Sequence, residues 1–151
     1  MLLGIGNPIM GDDGVGIHVV RMLKQKLASS TELEFKELSA GGLKMVEAML
    51  GHENVIIVDS YASTALEQGR IREFTPDQIK ETLNIASSPH DTNFATALEL
   101  YKNIQPDEIP KTIRIFTIDI NPTLTFSERM SPPIEEAAFK LADMITRIID
   151  Q

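Results

Sequence analysis

The run Val55-Ile56-Ile57-Val58 sets the tightest limit on how this chain can fold. Four consecutive β-branched residues without polar alternation describe a strand covered on both faces, as in a parallel sheet flanked by helices. The segments around it agree. Met1 to Gly6 reads as a short buried strand, and Val19, Val20, Leu23 and Leu27 follow at helical spacing up to the Ser29-Ser30 break. Thr31 to Leu38 sets Leu33 and Phe35 among charged neighbours in an extended pattern. Leu43, Val46, Met49 and Leu50 form a short helix entered through Gly41-Gly42 and closed by Gly51, a glycine just past a helix end.

Beyond the central run, Gln68 to Phe74 alternates Ile71 with Arg70 and Arg72, the pattern of a short edge strand, and Pro76 to Leu83 is a polar helix or loop. Phe94, Ala97, Leu98 and Tyr101 define a helix starting near Asp91 or Thr92. Ile113, Ile115, Ile118 and Ile120 mark a late strand running into Asn121-Pro122. Ser131-Pro132-Pro133 opens the last helix, with proline at its first positions and Glu135-Glu136 in its first turn. Its apolar stripe is Ile134, Ala137, Ala138, Leu141, Ile145, Ile148 and Ile149. Strands alternating with helices of this length predict an α/β fold: a three-layer sandwich with a mostly parallel, twisted sheet of about five strands and helices on both faces. No linker divides the chain, so residues 1–151 read as a single domain.

Composition removes several function classes. With no cysteine, the chain has no disulfide, no Cys-ligated zinc, no iron–sulfur cluster and no thiol nucleophile, and an intracellular, cytoplasmic setting is compatible with that. A formal charge of −8 opposes a nucleic-acid partner, whose binding rests on Lys and Arg displacing counterions. No signal-peptide pattern appears, and no apolar run approaches the roughly 18 residues a membrane span needs. The expectation is a soluble, unprocessed protein with no membrane insertion.

The stretch Gly4-Ile5-Gly6-Asn7-Pro8-Ile9-Met10-Gly11-Asp12-Asp13-Gly14-Val15-Gly16 invites a nucleotide reading and then refuses it. A dinucleotide fingerprint needs a third glycine where Ile9 stands. A P-loop needs Lys and Ser/Thr after its last glycine, where Asp12 and Asp13 stand instead. Each anion at about 4 Å from a phosphate costs about 1 kcal/mol in water and several times that in a drier site. Asp12 is the expected helix cap, since aspartate accepts from orphan N–H groups and complements the positive helix end. Asp13 is then surplus to capping, at the C-terminal end of a strand where α/β proteins bind ligands.

Two more residues join it. Asp59 ends the central buried run, where a turn or capping role is the plainer alternative, and His90 stands in Ser87-Ser88-Pro89-His90-Asp91 just before a helix, where a lone histidine is ordinarily a surface residue. Two carboxylates and one imidazole with positions left open suit a divalent transition metal such as Zn²⁺ or Ni²⁺. Elsewhere His18 reads as a helix-surface or interface residue, His52 as a turn residue, Asp119 as a strand residue facing solvent and Glu128 as a loop residue.

With these residues in place the chain resembles the maturation endopeptidases of nickel–iron hydrogenases. The resemblance rests on Gly4-Ile5-Gly6-Asn7 with Gly11-Asp12-Asp13-Gly14-Val15-Gly16, on the strand ending in Asp59, on His90 before the fourth helix, and on the late strand leading to Met130-Ser131-Pro132. It covers nearly the whole chain. It implies a protease that removes a short C-terminal peptide from the hydrogenase large-subunit precursor once nickel has entered that subunit. It also implies that Asp13, Asp59 and His90 contact the metal, which the precursor supplies, although other divalent ions such as Zn²⁺ or Cd²⁺ could occupy the same donors.

The cut itself lacks the usual machinery. There is no Gly-x-Ser-x-Gly elbow, no His-Glu-x-x-His helix and no Asp-Thr-Gly or Asp-Ser-Gly. A water activated by the metal or by a nearby carboxylate is what remains, with Asp12 or Asp91 as further candidates to orient His90 or act as base. Two other readings stand beside this one. One is a phosphoacceptor receiver domain binding Mg²⁺, opposed by the glycine-rich loop before the acids and by Ile118-Asp119-Ile120-Asn121 where such a domain needs lysine. The other is a noncatalytic metal- or precursor-binding module.

Overall fold

A computed structural model describes residues 1–28, 32–62, 67–82, 89–121 and 126–151, with the side chains of 80–82 and 89–93 excepted. Among the described residues the chain runs β1 (Leu2–Ile5), α1 (Val15–Lys26), β2 (Phe35–Leu38), α2 (Leu43–Met49), β3 (Asn54–Ala62), β4 (Ile71–Phe74), α3 (Pro76–Thr82), α4 (Pro89–Ile104), β5 (Thr112–Ile120) and α5 (Pro132–Ile149). The five strands form one sheet in the order β2-β1-β3-β5-β4. All neighbours are parallel except β4, which runs antiparallel along β5 at the edge. The α/β sandwich expected from the sequence is the fold observed.

Helices cover both faces because the strands are apolar on both. Leu2, Val58, Phe116 and Ile118 pack against α1 and α5, whose Val19, Leu23, Ile134 and Leu141 are buried beside them. Leu3, Ile5, Ile57 and Ile115 face the other way, onto Met45, Val46 and Met49 of α2 and Phe94, Ala97 and Leu98 of α4. The α5 stripe packs as its spacing predicts, with Ile148 and Ile149 partly buried at its end. Each fully buried Ile or Leu on it contributes about 1.5–3 kcal/mol relative to exposure, an upper figure because the unfolded chain is already partly collapsed.

Several local expectations change in the tertiary setting. The central strand does not end at Asp59: pairing with β1 stops at Gly4 opposite Val58, but pairing with β5 continues from Asp59 opposite Thr117 to Ala62 opposite Ile120. Leu43 is half-exposed at the start of α2, and Met45 takes its place in the core. Helix α4 starts at Pro89, so His90 belongs to its first turn and does not precede it. The Ser29-Ser30 break and Leu83 lie outside the described residues.

Asp119 is the clearest correction. It is fully buried, because β5 is covered on both faces and period-two alternation sends residue 119 to the same side as Ile115. Arg72 of the edge strand reaches in, with Nε 3.0 Å and Nη2 2.9 Å from Asp119 Oδ2, and lies 5.9 Å from the Tyr61 ring centre. Burial pushes the Asp119 carboxyl up, against the pull of Arg72. Oδ1 of Asp119 and Oγ1 of Thr117 have no hydrogen-bond partner among the described residues.

His18, expected as a helix-surface or interface residue, is half-buried in α1, with Nε2 shielded and without a partner among the described residues. Burial, helped by Arg21 and opposed by Glu37, lowers its pKa below the ordinary 6.5. The unfolded chain therefore takes up this proton more readily than the folded one. His18 stabilises the fold fully above its unfolded value, and that contribution is lost as pH falls through the folded value. Between about pH 7.5 and 5.5, His18→Leu is expected to lose less melting temperature than the wild type. Parallel declines in the two proteins would contradict the burial assigned to this ring.

Candidate functional site

The site is placed by the sheet order. From β1 the chain crosses through α1 to β2 on one side, then returns through α2 to β3 on the other side of β1. The connections diverge at the β1/β3 boundary, and a crevice outside the carboxyl ends of those strands is where ligands bind in open α/β sheets. Asp13 follows β1, and Asp59 stands on β3 one residue beyond the last β1 pairing. Residues 46 positions apart in sequence thus lie toward one end of the sheet because of its topology.

The glycines of the first loop serve packing. Gly6 has φ of 139°, and a Cβ there would lie 2.1 Å from the Asp13 carbonyl oxygen. Gly16 brings the start of α1 against both central strands: a Cβ would lie 2.2 Å from the Val58 oxygen and 2.3 Å from the Ile5 oxygen. Only hydrogen fits there, so the loop carrying Asp13 is pressed onto β1 and β3. This backbone contact accounts for a pattern that mimics a phosphate loop.

Asp13, half-buried, is held from two sides. The Asn7 backbone N–H donates to its Oδ2 at 3.0 Å, and the Ser60 hydroxyl donates to its Oδ1 at 3.2 Å. The Ser60 backbone N–H donates to Asp59 Oδ1 at 2.7 Å. Asp59 is buried, at 6% exposure. One serine therefore joins the two acids. Ser60 is the residue the sequence reading missed. Its signal was a hydroxyl directly after Asp59 in a strand otherwise apolar on both faces.

Asp12 does not cap α1, whose N-cap is Gly14. It lies in a 3-10 turn, Gly11–Gly14, and its carboxylate faces the far end of the chain. The Ser131 N–H donates to Asp12 Oδ1 at 2.6 Å and the Ser131 hydroxyl to Oδ2 at 2.8 Å. Ser131 is the N-cap residue of α5. Backbone bonds complete the brace, from Gly11 N–H to the Ser127 carbonyl at 2.6 Å and from Ser127 N–H to the Ile9 carbonyl at 2.9 Å. Asp12 thus fastens the loop that carries Asp13 to the segment before α5.

His90 belongs to the first turn of α4, which packs on the sheet face that carries Asp59. Its side chain and that of Asp91 lie outside the described residues. Among the described residues no three metal-ligating side chains converge. Two oxygen donors suit a borderline divalent ion provided nitrogen or sulfur ligands complete the set. Glu128 stays exposed, as expected for a loop residue. Among the described residues no helix is long and apolar enough to cross a membrane.

Comparison with known proteins agrees with the fold. Residues 17–148 match a family model described as hydrogenase maturation protease, a span that includes Asp59 and His90 and begins just after Asp13. The hydrogenase 2 maturation protease of Escherichia coli (strain K12) is 21% identical over 150 residues, covering 95% of this chain and 90% of that protein. Among solved structures, the hydrogenase maturating endopeptidase HybD from E. coli superposes with a TM-score of 0.76 at 19% identity, covering 99% of this chain and 90% of that one. A NiFe hydrogenase maturation protease HybD from Thermococcus kodakarensis gives 0.74 at 21% identity, covering 97% and 96%. At these identities the structural likeness speaks for the fold.

Proposed function

The chain belongs to the hydrogenase maturation protease family, and on that premise we propose that it removes the C-terminal peptide of a nickel–iron hydrogenase large-subunit precursor after nickel insertion. As a member it is a hydrolase, a peptidase acting in hydrogenase maturation. Nickel enters as part of the substrate: Asp13, Asp59 and His90 contact the ion that the precursor holds and so seat the scissile bond beside them. The observation that carries this reading is the pair Asp13 and Asp59, one from the turn after β1 and one from β3, joined through Ser60 beside the topological switch point. Zn²⁺ or Cd²⁺ is expected to fill the same donors, which do not discriminate strongly among such ions.

In this reading the ion supplies Lewis acidity to the scissile carbonyl. The chain's own residues position it. Asp13 and Asp59 are oriented before substrate arrives, which removes the cost of ordering them at binding. The attacking water is activated by a carboxylate of the site or by the ion, so the cut needs no side-chain nucleophile. The cytoplasmic setting belongs to the same proposal and rests on the family.

Mixing the protein with nickel-loaded precursor and, separately, with nickel-free precursor tests this directly. Loss of the C-terminal peptide, read by mass spectrometry, is expected only for the loaded form. Equal cleavage of both would remove nickel from the recognition step, and cleavage of neither cognate form would leave a noncatalytic precursor-binding module as the better description.

A further inference from the structure

Ser60 sits where β3 leaves β1 and faces the first loop. Its strand neighbours of the same parity, Ile56 and Val58, pack in the core formed with α1 and α5. At residue 60 the apolar sequence on that face gives way to a hydroxyl in a buried position, at 8% exposure. Its two polar groups are divided between the two acids: the hydroxyl donates to Asp13 Oδ1 at 3.2 Å and the backbone N–H to Asp59 Oδ1 at 2.7 Å. On the side away from Ser60, Asp13 is fixed through Oδ2 by the Asn7 N–H. Any residue but proline would preserve the backbone bond to Asp59. Alanine would not tie Asp13 to it, because it has no side-chain donor.

We propose that Ser60 is a positioning residue for substrate recognition, fixing the spacing of the Asp13 and Asp59 carboxylates so that both meet the precursor's metal at once. The inference rests on the function proposed above. Hydrogen-bond partners of metal ligands commonly govern affinity by 10- to 100-fold, because they set ligand direction and basicity. The loss of this hydroxyl is therefore expected to weaken docking while leaving the cutting chemistry in place.

The test is steady-state processing of nickel-loaded precursor by the wild type, Ser60→Ala, Ser60→Thr and Asp13→Ala, each with a melting curve. Ser60→Ala is expected to raise KM about tenfold with kcat within about twofold and melting temperature unchanged; Ser60→Thr, which keeps the hydroxyl, is expected to restore KM. Wild-type KM in Ser60→Ala, or no recovery in Ser60→Thr, overturns the role of Ser60. So does a lowered melting temperature with kcat and KM both impaired, the mark of a merely structural residue. Asp13→Ala separates the two levels of the argument: if it processes like the wild type, the metal-contact reading itself falls. If it is inactive while Ser60→Ala is unaffected, only the positioning role falls.

Discussion

Asp13→Ala, Asp59→Ala and His90→Ala are each expected to lower precursor processing by about a hundredfold or more, since loss of a ligand exceeds the 10- to 100-fold typical of its supporting partners. The fold is expected to survive. Truncating Asp59 leaves the Ser60 N–H without its acceptor, and truncating Asp13 does the same to the Asn7 N–H and the Ser60 hydroxyl. Each buried group left unpaired costs about 1–3 kcal/mol, within the 5–15 kcal/mol of an ordinary domain. Asp59→Asn and Asp13→Asn sharpen the comparison: neither carries charge, the carboxamide oxygen at residue 59 still accepts the Ser60 N–H, and at residue 13 the carboxamide oxygen accepts the Asn7 N–H while its NH2 donates to the Ser60 hydroxyl oxygen. They are expected to melt close to the wild type and remain inactive. Processing followed by mass spectrometry and folding followed by circular dichroism read the two effects separately. Full activity in all three alanine variants would show that the site has been misplaced.

Gly16→Ala is expected to cost a large part of the stability through a single added methyl group. The new Cβ would lie 2.2 Å from the Val58 oxygen and 2.3 Å from the Ile5 oxygen, both backbone atoms within the sheet. Neither can rotate away, so α1 must lift from β1 and β3. Overpacking of this kind costs about 3 kcal/mol or more when backbone has to move, against which the better helix propensity of alanine returns about 1 kcal/mol. Lifting α1 also draws Asp13 away from Ser60, so processing is expected to fall with stability. Gly51→Ala is the control: Gly51 has φ of 76°, and the nearest atom to an added Cβ belongs to the flexible Glu108 carboxylate, at 3.3 Å. Only backbone strain of about 1–2 kcal/mol is expected there. Urea denaturation of the two variants measures the difference, and a Gly16→Ala protein as stable as Gly51→Ala would refute the packing account.

Much of the fold was legible because hydrophobic periodicity reports burial directly. The unbroken run at Val55–Val58 announced a strand between two layers, and the stripe from Ile134 to Ile149 announced a helix on one of them. Failures came where a residue's partner lies far along the chain. Asp119 looked like a solvent-facing acid because nothing near it in sequence shows that Arg72, on the edge strand, reaches back to it. Asp12 looked like a cap because aspartate before a helix is one in most chains. Its partner, Ser131, is 119 residues away. His18 fitted the polar face of α1 by spacing alone, and packing half-buried it.

The candidate site divides in the same way. The residue types that bind metal, and the absence of phosphate-binding residues among the glycines, were fixed by chemistry that the sequence states outright: carboxylates attract cations, and no lysine or hydroxyl stands where a phosphate would need one. Which acids meet was decided by topology. The β1/β3 switch point brings Asp13 to Asp59, and Ser60 joins them through one hydroxyl and one backbone N–H. Local sequence determined strands, helices and ligand chemistry because those depend on neighbours a few residues apart. The link from Ser60 to both acids depends on the order in which strands pair and on glycines that let backbone touch backbone, which only the folded chain specifies.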